Sequence, residues 1–169
     1  MAVSVERNFR LQVTESIAGD LGTGIQHHVI SPAAATYATG TGDSQFDLVW
    51  SDTRTLVATT ETLDLAGSLT AAIGGATITM VEIGIICIRN KATAASSILI
   101  LGNATNPAFT NLLGGGTQTV KIPAGGIFYW EAPYDGGGLT VTAGSADGLK
   151  LDSGAATITY DIIVVGRSA

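Results

Sequence analysis

The chain has 169 residues and a formal net charge of −6; 46% of its residues are hydrophobic and only 13% are charged, about half the roughly 25% charged share of an average globular domain. That length fits one domain, or one domain with an extension. Eight scattered basic residues argue against a nucleic-acid partner, since phosphate binding needs clustered Lys and Arg, and the most apolar run, residues 83–88, is far shorter than the about 20 residues of a membrane-spanning helix.

Residues 1–7 carry neither a basic n-region nor an apolar stretch, so no signal peptide is expected. Phe9, Leu11 and Val13 alternate with Arg10, Gln12 and Thr14, the period of a half-buried strand. Residues 20–24 read as a turn and 24–30 as a second, less regular strand. Residues 31–37, with Pro32 and three alanines, form the best helix candidate, and a short one. Residues 38–44 are a Gly/Thr/Ser connector, and 46–50 a short strand.

From Thr53 the texture changes. Strands are expected over 60–65, 76–89, 97–101, 117–122, 127–130, 139–142, 148–151 and 157–165, with Gly, Asn, Asp and Pro clusters between them. Gly84, inside the strongest segment, predicts a bulge or a close backbone approach. Many short strands at about ten-residue spacing, with little or no helix, predict an all-β fold: a jelly-roll-like or Greek-key antiparallel sandwich of roughly eight to ten strands. Residues 1–52 then form N-terminal strands or an arm that reaches a neighbour, and 53–169 the sandwich.

Low charge and a mean hydropathy of +0.37 predict surface buried against other chains, hence a homo-oligomer. A compact monomer dressed in Thr, Ser and Gly is the alternative. The single cysteine, Cys87, permits no intrachain disulfide and reads as a buried, inert thiol.

Chemistry-bearing patterns are scarce. His27 and His28 are adjacent and on a strand would face opposite sides, so they do not make a metal pair. No nucleophile elbow is present, and Gly114-Gly115-Gly116 and Gly136-Gly137-Gly138 lack the Lys-Ser/Thr of a phosphate loop. Glu131, Asp135, Asp147 and Asp152 are dispersed turn carboxylates that would pair, or hold calcium, only if their loops converged. No enzyme activity, cofactor, metal or small-molecule substrate is expected. Phe128, Tyr129, Trp130 and Tyr134 cluster, with Phe128 and Trp130 on one face and Tyr129 on the other; core packing, an interface and sugar stacking remain open for them. The candidate contact residues are Phe9, Leu11, Val13, Tyr129, Trp130 and Tyr134.

Residues 51–166 resemble small structural proteins of tailed bacteriophages. The resembling pieces are Ser51-Asp52-Thr53-Arg54-Thr55-Leu56, Thr62-Leu63-Asp64-Leu65-Ala66-Gly67-Ser68-Leu69, Ile88-Arg89-Asn90-Lys91, Pro123-Ala124-Gly125-Gly126, Glu131-Ala132-Pro133 and Thr159-Tyr160-Asp161-Ile162-Ile163-Val164-Val165-Gly166. The resemblance implies a head decoration (cement) protein, a class that is often trimeric. It would be made in the host cytoplasm, bind the major capsid protein and reside on the virion. It transfers no functional residue. A tail, neck or fibre component and a carbohydrate-binding β-sandwich using Tyr129, Trp130 and Tyr134 are the alternatives.

Overall fold

The computed structural model describes residues 3–17, 25–70, 75–105 and 108–169, and over 9–33 its strands only as backbone. Thirteen strands are present among them: β1 Val5–Ile17, β2 Ile25–Tyr37, β3 Leu48–Val57, β4 Thr60–Asp64, β5 Leu69–Thr70, β6 Thr77–Ile78, β7 Glu82–Asn90, β8 Leu99–Gly102, β9 Thr119–Ile122, β10 Ile127–Glu131, β11 Leu139–Thr140, β12 Gly148–Asp152 and β13 Thr157–Arg167. A 3₁₀ turn at Thr110–Leu112 is the one helical element among the described residues. The fold is an all-β sandwich, as the strand spacing predicts. The strand number exceeds the expected eight to ten because β5, β6 and β11 are two-residue pairings.

Sheet one runs β10-β7-β13-β3, with β11 also paired to β7, and sheet two runs β4-β12-β8-β9. Numbering the eight longer sandwich strands in chain order makes the pattern plain. The first pairs with the eighth, the second with the seventh, the third with the sixth and the fourth with the fifth, all antiparallel. One long hairpin has been rolled up on itself, which is the double Greek key of a jelly roll.

Alternation dictates which residues fill the space between the sheets. In β13, Ile158, Tyr160, Ile162 and Val164 point inward and are buried, while Thr157 and Ile163 are exposed on the outer face. Sheet one adds Trp50, Leu56, Ile86 and Ile88 to the same core, and sheet two adds Leu63, Leu99, Leu101, Ile122, Leu149 and Leu151. Burying each such side chain stabilises the fold by about 1.5–3 kcal/mol. Asn90 is buried beside them. Its Nδ2 donates to the Ser97 and Ile122 carbonyls, at 2.9 and 3.0 Å, and its Oδ1 accepts from the Ala92 amide. That satisfied amide knits β7 to the ends of β8 and β9, where an unpaired one would cost about 1–3 kcal/mol.

Gly84 does both things its position predicts. The β13–β7 register jumps from Val165↔Ile85 to Gly166↔Ile83, leaving Gly84 as the extra residue of a bulge. The Phe46 ring lies where a Cβ on Gly84 would project. Gly125, at φ 72°, turns the chain between β9 and β10 in the conformation glycine adopts freely.

The N-terminal strands differ from expectation in one respect. Residues 31–37 are not helical but belong to β2, which pairs with β1 from Val5↔Tyr37 to Ile17↔Ile25. Cross-strand pairing overrides the modest helix preference of the alanine run. The two thirteen-residue strands form a sheet of their own, about 40 Å long at strand rise. The turn expected at 20–24 lies outside the described residues, apart from the neighbouring strand start at Ile25. Position 53, where the texture changes, falls in the middle of β3.

Candidate interaction surface

The base of the hairpin packs on sheet one. Val5, Ala35 and Tyr37 pack with Phe46 on Ile85 and Val165, on the outer face of sheet one. The Tyr37 and Phe46 rings meet edge to face at 5.2 Å and 72°, a favourable aromatic geometry. The Val3 amide donates to Thr39 Oγ1 at 2.9 Å, and that hydroxyl donates back to the Val3 carbonyl. This second small core explains why the run 83–88 is apolar without alternation: β7 is covered on both faces at that level.

Polar groups close the same junction. The Tyr37 hydroxyl donates to Glu131 Oε1, and Arg7 Nε lies 3.3 Å from Glu131 Oε2, an ion pair without the alignment of a hydrogen bond. Burial, then hydrogen bonding to Glu131, raises the pKa of both Tyr37 and Tyr129, so both phenols stay neutral at physiological pH. On the far side, Arg167 is fully buried. It pairs with Glu82, donates to the Gln45 carbonyl at 3.1 Å and the Pro133 carbonyl at 2.7 Å, and lies 4.8 Å from the Phe46 ring centre. A buried guanidinium held by a carboxylate, two carbonyls and an aromatic face is a tolerable way to place a charge inside.

Next to this junction the outer face of sheet one stays open. The register aligns Tyr129, Cys87, Ile163 and Ser51 in one row across four strands. Tyr129 and Ile163 are 39% and 43% exposed, and Ile127 and Val49, in the flanking rows, are 63% and 38% exposed. Charged groups bound the row on one side. Asp161 accepts from Thr53 Oγ1 at 2.7 Å and pairs with Lys91 at 3.1 Å; those two contacts hold its carboxyl below the usual range. The thiol of Cys87, expected to be buried, is half-buried in this row, and partial burial raises its pKa.

The six sequence candidates are not brought together. Phe9, Leu11 and Val13 lie on one face of β1 by register, opposite Ala33, Ser31 and Val29; their side chains fall outside the described residues. Tyr129 is on the outer face of sheet one, Trp130 is half-buried opposite Ile86 on the inner face, and Tyr134 is 64% exposed in the loop after β10. The three aromatics therefore share no face. Sequence reasoning missed Ile163, Arg167 and Phe46. For Ile163 a signal existed: it takes an outward position where Thr157, Thr159 and Asp161 are polar.

Three of the four dispersed carboxylates serve a local turn or junction. Asp147 accepts from the Gly144 amide at 2.5 Å, Asp152 from the Gly154 amide at 2.7 Å, and Glu131 belongs to the hairpin base. Among the described residues no group of three or more His, Cys, Asp and Glu could hold a metal, and no helix is long and apolar enough to cross a membrane. The cavity beside Leu101, Phe109, Leu112 and Leu149 has a volume of about 10 Å³, the room of one water molecule. Comparison with protein-family models, curated proteins and solved structures found no match to this chain.

Proposed function

We propose that this chain is a structural subunit of a bacteriophage particle: a decoration (cement) protein that assembles as a homo-oligomer, a trimer by resemblance, and binds the major capsid protein on the head surface. The observation that carries the reading is the β1–β2 hairpin, two long strands that among the described residues pair only with each other and whose base packs on a jelly roll. A two-stranded sheet is marginal in water by itself, so one this long makes sense as an arm built to be completed by a neighbour. Low charge, the open apolar row on sheet one and the resemblance of residues 51–166 support the same reading.

Sedimentation tests it. Purified chain incubated with expanded heads of the phage that encodes it should pellet with them and raise their resistance to heat or chelation. Pelleting with tails and not heads would move the protein to the tail, and pelleting with neither would remove the virion reading.

A further inference from the structure

The hairpin and the open row have matching character. By register, Phe9, Leu11, Val13 and Ile17 of β1 share a face with Ala33, Val29 and Ile25 of β2, and the same face also carries Arg7, Glu15, Ser31 and His27. Strand alternation makes this the same face as Val5, Ala35 and Tyr37, the residues that pack on Ile85 and Val165 at the base. The opposite face carries Glu6, Asn8, Arg10, Gln12, Thr14 and Ser16 of β1 with Thr36, Ala34, Pro32, Ile30, His28 and Gln26 of β2. The arm is thus sided chiefly through β1, and its more apolar side is the one already used to contact sheet one.

The receiving surface continues from that contact. Ile85 and Val165 are covered by the chain's own hairpin base, but Tyr129 and Ile163, one row further, stay exposed with that hairpin in place. The row is apolar at its centre and edged by Arg89, Asp161 and Thr53, the pattern of an interface with a polar rim.

We infer that this row, centred on Ile163 and Tyr129, is the docking site for the apolar face of the hairpin from a second copy of the chain. The contact is head to tail: each copy offers an arm and receives one. Such an interface closes into a ring when the rotation allows. The inference rests on the homo-oligomer part of the reading above and specifies its geometry.

Two complementary lesions test it. Ile163→Glu spoils the receiving row and keeps the arm; Leu11→Glu spoils the arm and keeps the row. Tyr129→Ser serves as a second lesion of the row should Ile163→Glu melt early. Light scattering should give an oligomer for the intact chain, monomers for each variant alone at the same concentration, and a two-chain complex when the variants are mixed, since one good arm then meets one good row. Melting temperatures should change by only a few degrees. An intact chain that is monomeric, a variant that keeps full mass, or a mixture that stays monomeric would each overturn the inference. Capsid sedimentation separates the two claims: capsid binding by a chain whose mixed variants stay monomeric removes only this interface, and a mixed complex without capsid binding removes only the virion assignment.

Discussion

The sandwich and the hairpin are both antiparallel sheets, yet they bury themselves in opposite ways. In the sandwich, β7 and β13 have partners on both sides and a second sheet across the core. In the hairpin each strand has one described partner, and the base packs around Tyr37 and Phe46. Among the described residues, the sandwich strands thus pair into two facing sheets, while each hairpin strand has one edge without a partner. Open edges of that length are normally blunted or covered, because they template further pairing. A closed sandwich beside a hairpin with open pairing edges suits the assembling subunit proposed above.

The strongest way to break that contrast is at the junction. Arg167→Ala leaves Glu82 buried beside an empty space, and removing one partner of a buried pair costs about 3–5 kcal/mol. Denaturant titration should register that loss in the whole sandwich, since Arg167 also holds the Gln45 and Pro133 loops. A change no larger than that of a surface substitution would show that the junction is not part of the sandwich's stability. Gly84→Ala comes next. Its methyl group displaces the Phe46 ring, and overpacking of this kind costs about 1–3 kcal/mol. Thermal melting should show it, and the combination with Phe46→Leu should recover part of the loss.

Shortening the arm should be milder. Asn8 and Ala34 are register partners, so an Asn-Gly turn placed directly between them closes a two-residue hairpin. Removing residues 9–33 this way should shift the stability of the unassembled sandwich by no more than about 0.5 kcal/mol; a large loss would mean that the arm also packs along its own sandwich. Asp161→Asn should have the smallest effect. The folded pKa of Asp161 is depressed, chiefly by the Thr53 hydroxyl and then by Lys91, so its contribution is present above the ordinary value of 3.8 and fades as pH falls through the lower folded value. Melting curves of wild type and variant should differ slightly at neutral pH and converge in acid.

Much of the sandwich was legible in the sequence. β9, β10 and β13 alternate with period two, and the glycine and proline clusters between them mark the turns. Gly84 announced its bulge because glycine in a β-rich run has few other reasons to be there. The misread 31–37 shows the limit of local signals: nothing within seven residues reveals that β1 lies alongside. The same blindness hid the junction, because Arg167 meets Glu82, Gln45 and Pro133 only after the chain has rolled up. The open row was half-legible. Alternation predicted that Tyr129 faces away from Trp130, but Ile163 was masked by Ile162, Val164 and Val165 around it.

The place of β13 has a consequence for how the molecule is made. It is the last strand in sequence, yet it lies between β7 and β3, and Leu48 of β3 finds its partner only in Gly166. Until that strand has been synthesised, β3 has no neighbour in sheet one, and Trp50 and Leu56 lack their register partners Val164 and Ile158. Pairings this distant along the chain make folding slow, and they make it late: a ribosome delivers nearly the whole jelly roll before either Greek key can lock. A chain cut short within β13 would lose the middle of a sheet rather than a frayed end, so incomplete copies would be eliminated by failure to fold.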